Sequence, residues 1–210
     1  MVSMMIILGF WADCSLCLTS DYCDLNLLGM LQACLNGSRG RDYNPAVPVT
    51  PEALARDAAA CMAAGANEFH IHPRSSDGLE SFAANDVGAA LNAVRAAVPG
   101  VPVGISTREG ILGEPAGRQR AFQAWEDLPD YVSVNLSEGD APEVIRLMLK
   151  RGIGVEAGLA TVADAERYVA LAEAGSCLRV LIEIDEQESA TALRVAHGII
   201  AVLDRTHSKL

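Results

Sequence analysis

The stretch Glu68-Phe69-His70-Ile71-His72-Pro73-Arg74 decides how this chain is read. In an extended strand, side chains two apart share a face, so His70 and His72 project together while Phe69 and Ile71 face the other way into apolar packing. Two imidazoles side by side are half of a metal site, although an isolated His-x-His can equally be a pair of hydrogen-bonded core histidines. Position separates the two readings. The pair is followed by Arg74 and the polar turn Ser75-Ser76-Asp77-Gly78, which puts it at the C-terminal end of a strand, where parallel α/β folds carry their chemistry.

Working outward, the same pattern of a short apolar segment ending in polar residues and leading into a helix recurs. The expected strands are Leu31–Ser38, Glu68–Arg74, Pro102–Thr107, Tyr131–Ser137, Ile153–Leu159 and Leu178–Ile184, spaced as strand-helix units require. Thr50 before Pro51 marks a helix start, with a capping hydroxyl ahead of a proline at the first helical position, and Gly65 marks its end. Leu54, Ala58, Cys61 and Met62 would form its buried stripe. Val87, Leu91, Val94 and Val98 do the same for the next helix, before the Pro99-Gly100 stop. Thr161 with Asp164 reads as a capping box ahead of a face made by Val162, Ala165 and Val169, ended by Gly175. The last helix, about 188–204, is expected to bury Leu193, Ala196, Ile200 and Leu203.

Six consecutive βα units without a hairpin signal leave two architectures, a doubly wound sheet or a (β/α)8 barrel. Polar residues recur at the expected strand ends: Asn36, His70 and His72, Ser106, Asn135 and Ser137, Glu156, Glu183. Such a ring favours the barrel, whose active site gathers residues from many strand ends. The expected fold is therefore an α/β, TIM (β/α)8-type barrel with about six units present in this chain. Six units do not close an eight-stranded barrel.

Half of the residues are apolar and the formal net charge is −11. Without clustered Lys and Arg the chain is not built for nucleic acid or an anionic membrane. The apolar run 5–12 is far shorter than the roughly 20 residues of a spanning helix, and no basic residue precedes it as in a secretory signal. A reduced, cytoplasmic setting is expected. Cys61 and Cys177 read as small buried hydrophobes; Cys14 and Cys17 have redox or zinc spacing but stand outside any strand-helix unit and lack a second pair. Residues 1–29 break the βα scheme, being rich in Cys and Met and free of Lys and Arg. They are expected to be an atypical N-terminal extension outside the core, with Met30 as an alternative start and 30–210 as the barrel domain.

Several ordered segments carry a resemblance. Ala33-Cys34-Leu35-Asn36-Gly37-Ser38-Arg39, Asn44-Pro45-Ala46-Val47-Pro48-Val49-Thr50-Pro51-Glu52 and Ala64-Gly65-Ala66 lead into His70-Ile71-His72-Pro73-Arg74 with Asp77-Gly78. Pro102-Val103-Gly104-Ile105-Ser106-Thr107, Ser133-Val134-Asn135-Leu136-Ser137-Glu138, Gly154-Val155-Glu156-Ala157-Gly158-Leu159 and Arg179-Val180-Leu181-Ile182-Glu183 follow in order. Together, over about 30 to 205, they resemble the β-keto acid cleavage enzymes, typified by the 3-keto-5-aminohexanoate cleavage enzyme.

The resemblance implies a TIM barrel holding a divalent metal, usually zinc, which condenses a β-keto acid with acetyl-CoA and yields acetoacetate and a new acyl-CoA. It makes His70 and His72 the metal ligands, Ser106 and Ser137 substrate-side groups of the catalytic set, and Glu156 an active-site carboxylate. Asn36, Ser38 and Arg39 fall where the family contacts substrate from its first strand, and Arg74 and Asn135 are further substrate-binding candidates. A metal held by two neutral imidazoles can bind keto and carboxylate oxygens and stabilise an enolate that attacks the thioester.

Where the family continues with a His-Gly-Glu-like segment and an Arg-x-Gly-Leu-Glu-Asp segment, which carry a third metal ligand and the Arg/Asp pair of proton abstraction, neither occurs before Leu210. The chain is accordingly expected to be a shortened product, a frameshifted or prematurely stopped gene, or a protein completed by a partner, and to form a homo-oligomer because open sheet edges seek pairing. Arg108 stands where relatives have a small turn residue, able to reach a CoA phosphate or obstruct the mouth. Two other classes compete. A metal-free aldolase or isomerase barrel wants a Schiff-base lysine at a strand end, and Lys150 and Lys209 are not at one; an inactive fragment would bind full-length relatives without metal or turnover.

Overall fold

The computed structural model describes residues 3–6, 30–112 and 115–207. Among these, strands and helices alternate: β1 (Ser3–Ile6), β2 (Leu31–Cys34), α1 (Pro51–Ala63), β3 (Glu68–Ile71), α2 (Ala84–Ala97), β4 (Val103–Ser106), α3 (Pro115–Gln123), β5 (Tyr131–Asn135), α4 (Ala141–Lys150), β6 (Gly154–Leu159), α5 (Val162–Val169), β7 (Arg179–Ile182) and α6 (Ser189–His207). Each of β2 to β7 lies within a stretch expected to be a strand. The expected strands ran longer, because their last polar residues leave the ladder and turn into the loops.

The order β1-β2-β3-β4-β5-β6-β7 is strictly sequential, and β2 to β7 pair in parallel. A doubly wound sheet would reverse its order at a switch point; this one does not. The six parallel βα units form a half-barrel. β1 runs antiparallel along the outer edge of β2, with Ser3 opposite Cys34 and Ile6 opposite Leu31. Cys14 and Cys17 lie outside the described residues.

Strand alternation sorts the two faces. Phe69, Ile71, Val103, Ile105, Val132, Val134, Val155, Ala157 and Leu159 face the helices and, with Leu54, Leu91, Val94, Ile145 and Met148, make one continuous apolar core. The concave face is polar. Arg179 at the start of β7 donates from Nε to Glu156 Oε1 at 2.7 Å and from Nη1 to Glu68 Oε1 at 3.2 Å, with a further bond to Glu68 Oε2. Gln32 Nε2 reaches Tyr131 Oη at 2.8 Å and Glu156 Oε1 at 3.2 Å. One guanidinium thus ties β7 to β3 and β6, and one amide ties β2 to β5 and β6, so the sheet is curled enough for its outer parallel strands to share partners. Gly104 makes room for this layer: a Cβ there would stand 2.0 Å from the Tyr131 ring.

The N-caps at Thr50 and Thr161 are where they were expected, but α5 ends at Val169, well ahead of the Gly175 expected to stop it, which lies in a separate short turn, Ala174–Ser176. Thr50 Oγ1 accepts from Ala53 N at 3.3 Å, and Thr161 and Asp164 form a reciprocal capping box on α5. Some helix faces differ. Met62 (42 % exposed), Val162 (38 %) and Leu193 (59 %) are not core residues. Met62 lies one position round the helix from the buried side carrying Leu54 and Ala58. α5 buries Ala165, as expected, together with Tyr168 and its capping Asp164. α6 packs through Ile199 and Val202, with Gly198 close against Val162, leaving Leu193 outside that contact. No helix among the described residues is long and apolar enough to cross a membrane.

Candidate metal centre

His70 is the third residue of β3, on its concave face, and His72 follows just past the strand end. The backbone of His72 is held from β2's trailing loop: Asn36 Oδ1 accepts from His72 N at 2.8 Å and Asn36 Nδ2 donates to His72 O at 2.7 Å. Both imidazoles are buried. Their Nε2 atoms face one another at 3.2 Å, with the rings 72° apart. Two nitrogens bound to one tetrahedral zinc at about 2.0–2.1 Å are about 3.3 Å apart, so this pair has the bite of two metal ligands. Burial foremost, and then neighbouring His72, pushes His70 down to about 3, keeping it neutral with a lone pair to offer. No third His, Cys, Asp or Glu joins the pair among the described residues.

The outer side of His72 meets a carboxylate that sequence reading had passed over. Glu80 Oε1 lies 2.6 Å from His72 Nδ1, and the two side chains are only 7 % and 10 % exposed. The loop explains how a residue eight positions on returns to the histidine. Gly78 has φ +81°, Gly78 N donates to Ser75 O and Ser75 N to Leu79 O, each at 2.9 Å, and a lone antiparallel bridge joins Arg74 to Glu80. The Asp77-Gly78 pair, a turn-forming dipeptide, was the available signal. Arg108 then grips Glu80, from Nε at 3.1 Å to Oε2 and from Nη2 at 2.5 Å to the same oxygen. Burial opposes ionisation of Glu80, but His72 and Arg108 outweigh it and bring the carboxyl down to about 2. Arg108 is therefore engaged on Glu80, which is neither of the roles expected for it.

The other candidates are dispersed around this centre. Ser106 is buried at the end of β4, its Oγ accepting from Arg108 N at 3.3 Å. Arg74 donates to the backbone oxygens of Gly37 (2.6 Å), Arg39 (3.1 Å) and Gly78 (3.1 Å), strapping two loops together. With Ser38 and Arg39 it lines an open cleft of about 980 Å³ at the mouth. Asn135 reaches Glu138 at 3.4 Å, and Ser137 is exposed. Glu156 is not at a strand end: it is the third residue of β6, wholly buried in the Arg179 network. Burial above all raises its carboxyl, with Arg179 and Gln32 pulling the other way. Within this interior layer the arginine pairs with Glu68 and Glu156. Burial foremost, and then Glu156 and Glu183, pushes the Cys34 thiol up to about 12, so it is no nucleophile at neutral pH.

A half-barrel with polar side chains gathered at the C-terminal ends of its strands is the frame of a TIM-barrel enzyme. The model of the β-keto acid cleavage enzyme family matches residues 30–182, and the chain belongs to that family. The 3-keto-5-aminohexanoate cleavage enzyme of Fusobacterium nucleatum is 36 % identical over 67 residues, which are 32 % of this chain and 25 % of that protein. Among solved structures, ObcA in its binary complex with oxaloacetate aligns with a TM-score of 0.50 at 18 % identity, over 60 % of this chain and 34 % of ObcA. Its ternary complex with a C4-CoA adduct and oxalate aligns to the same extent, with a TM-score of 0.50 and 18 % identity. The chain thus spans about a third of ObcA and the match a quarter of the curated relative; the likeness to ObcA is one of fold.

Proposed function

We propose that this chain serves the zinc-dependent cleavage of a β-keto acid with acetyl-CoA, giving acetoacetate and a new acyl-CoA. The observation that carries the reading is the buried pair of Nε2 atoms 3.2 Å apart at the strand ends of a family-matched segment. Zinc, when bound, would supply Lewis-acid stabilisation of the charge that develops on the keto acid's oxygens as the carbon between them gives up a proton. His70 and His72 would hold it, His70 already neutral and His72 fixed by Asn36. Ser106, at the end of β4, offers a hydroxyl to the substrate carboxylate, and Asn135 and Ser137 offer amide and hydroxyl groups from the next strand end. Ser38 and Arg39 present donors at the mouth, where the anionic co-substrate would enter, and Arg74 braces the loops that carry them. Glu156, with one oxygen held by Arg179 and the other without a partner among the described residues, is the interior carboxylate nearest in kind to the family's active-site glutamate.

Metal analysis of the purified full chain is expected to give one zinc per chain, and none after His70→Ala or His72→Ala. Metal content unchanged by either substitution would sink the proposal. Acetoacetate release from a panel of β-keto acids with acetyl-CoA is the second arm: zinc bound without turnover would point to a metal-loaded binding chain rather than an enzyme.

A further inference from the structure

We infer that Glu80 is the positioning residue of the metal centre: its carboxylate, fixed by Arg108, holds the Nδ1 proton of His72 and so turns the Nε2 lone pair toward His70 for a divalent cation. This rests on the metal-centre reading above and deepens it, since it concerns how one ligand is aimed.

Four observations carry it. The Nδ1 to Oε1 separation is 2.6 Å between side chains almost sealed from water, as in the carboxylate–histidine pairs that stand behind metal ligands. The carboxylate is divided in use, with the closest contact of Oε1 made to His72 and the shortest of Oε2 made to Arg108, so Glu80 cannot turn away without losing both. The loop holds Glu80 from the backbone as well, through the bridge to Arg74 and the bond from Ser81 N to Pro73 O at 2.9 Å. Finally, the two histidines are not equivalent: His70 Nδ1 has no hydrogen-bond partner among the described residues, whereas His72 is gripped at its backbone by Asn36 and at its ring by Glu80. A carboxylate so placed selects the tautomer with the proton on Nδ1, orients the ring, and makes Nε2 a stronger donor to a cation. Arg108 has a second use here: it neutralises the charge that Glu80 would otherwise carry into a buried site.

The test is zinc affinity of the full chain, measured with zinc ion alone in competition with a chromogenic chelator. Glu80→Gln keeps the size of the side chain and removes its charge; it is expected to weaken zinc about 10- to 100-fold with the far-UV circular dichroism unchanged. An affinity equal to that of the parent chain overturns the inference and leaves Glu80 a loop strut. A second measurement needs no variant. In zinc-loaded protein labelled with ¹⁵N-histidine, His72 is expected to carry its proton on Nδ1 and to show a metal-bound Nε2; coordination through Nδ1, or an Nδ1 without a proton, overturns the inference. If the parent chain takes up no zinc, or His72→Ala binds it as well as the parent, the metal-centre reading itself has failed and the positioning role falls with it. If those controls hold and Glu80→Gln alone is without effect, only the positioning role fails.

Discussion

At the scale of single residues, the fold keeps one imidazole uncharged in a buried place. His70 has a folded pKa of about 3 against an ordinary 6.5, so the unfolded chain takes up the proton first. Stability from this residue is complete above pH 6.5 and is lost as pH falls toward 3. In chelator-treated protein, urea unfolding is expected to lose up to about 2 kcal/mol between pH 7 and pH 5. His70→Asn should flatten that slope, and a variant with the parent's slope would place the acid sensitivity elsewhere. Arg179 belongs to the same scale. With its side chain 4 % exposed it serves two buried carboxylates, and removing one partner of such a group leaves charge without compensation. Arg179→Met is expected to cost about 3–5 kcal/mol, read as a lower urea midpoint; a midpoint within experimental scatter of the parent's would mean the pair is dispensable.

At the scale of elements, the half-barrel is assembled from units whose ends are chemically marked. Thr161 accepts from Asp164 N at 3.2 Å while Asp164 Oδ2 accepts from Thr161 N at 2.9 Å, which satisfies two donors that the first turn of α5 would otherwise leave open. Thr161→Ala should cost about 1 kcal/mol, and a thermal melt will show whether it does. Gly104 on β4 makes the opposite kind of demand. The ring of Tyr131 occupies the place of its missing Cβ at 2.0 Å, so Gly104→Ala must push β5's aromatic out of its bonds to Gln32 and Phe69 O. Overpacking of this sort costs about 1–3 kcal/mol, and the loss should shrink in Gly104→Ala/Tyr131→Phe, where the hydroxyl is no longer being torn from partners. A double variant no better than the single would refute that coupling.

At the scale of the whole molecule, curvature does the organising. Strands in strict order with helices on one side form a concave polar face, and the interior layer of Gln32, Glu68, Tyr131, Glu156 and Arg179 braces it beneath the histidine pair. β1 adds four residues of backbone pairing along the edge of β2, outside the family-matched span of 30–182. We propose that residues 1–29 are an addition to the barrel unit. A chain starting at Met30 should keep its α/β circular dichroism and cooperative melt while associating more strongly on size exclusion, because β2 then presents an open edge. Collapse of the melt on deletion would make the segment part of the fold.

Much of this was legible in the order of residues. The alternation about His70 and His72, the positions of β2 to β7 and the caps at Thr50 and Thr161 are set by neighbours a few positions away, and period and capping chemistry are local properties that survive without knowledge of the fold. The partners of buried charge were not legible. Glu80 reaches His72 because one turn at Gly78 reverses the chain, Arg108 reaches Glu80 from the next strand end, and Arg179 reaches Glu68 across 111 positions because the sheet curls. By itself the sequence determined where the parallel strands β2 to β7 would fall and which two histidines would share a face, but not the antiparallel β1. Only the tertiary structure decided that Glu156 lies inside an ion-pair layer and that Glu80 stands behind His72, since the approach of distant side chains follows from sheet curvature and loop reversal, which no local pattern encodes.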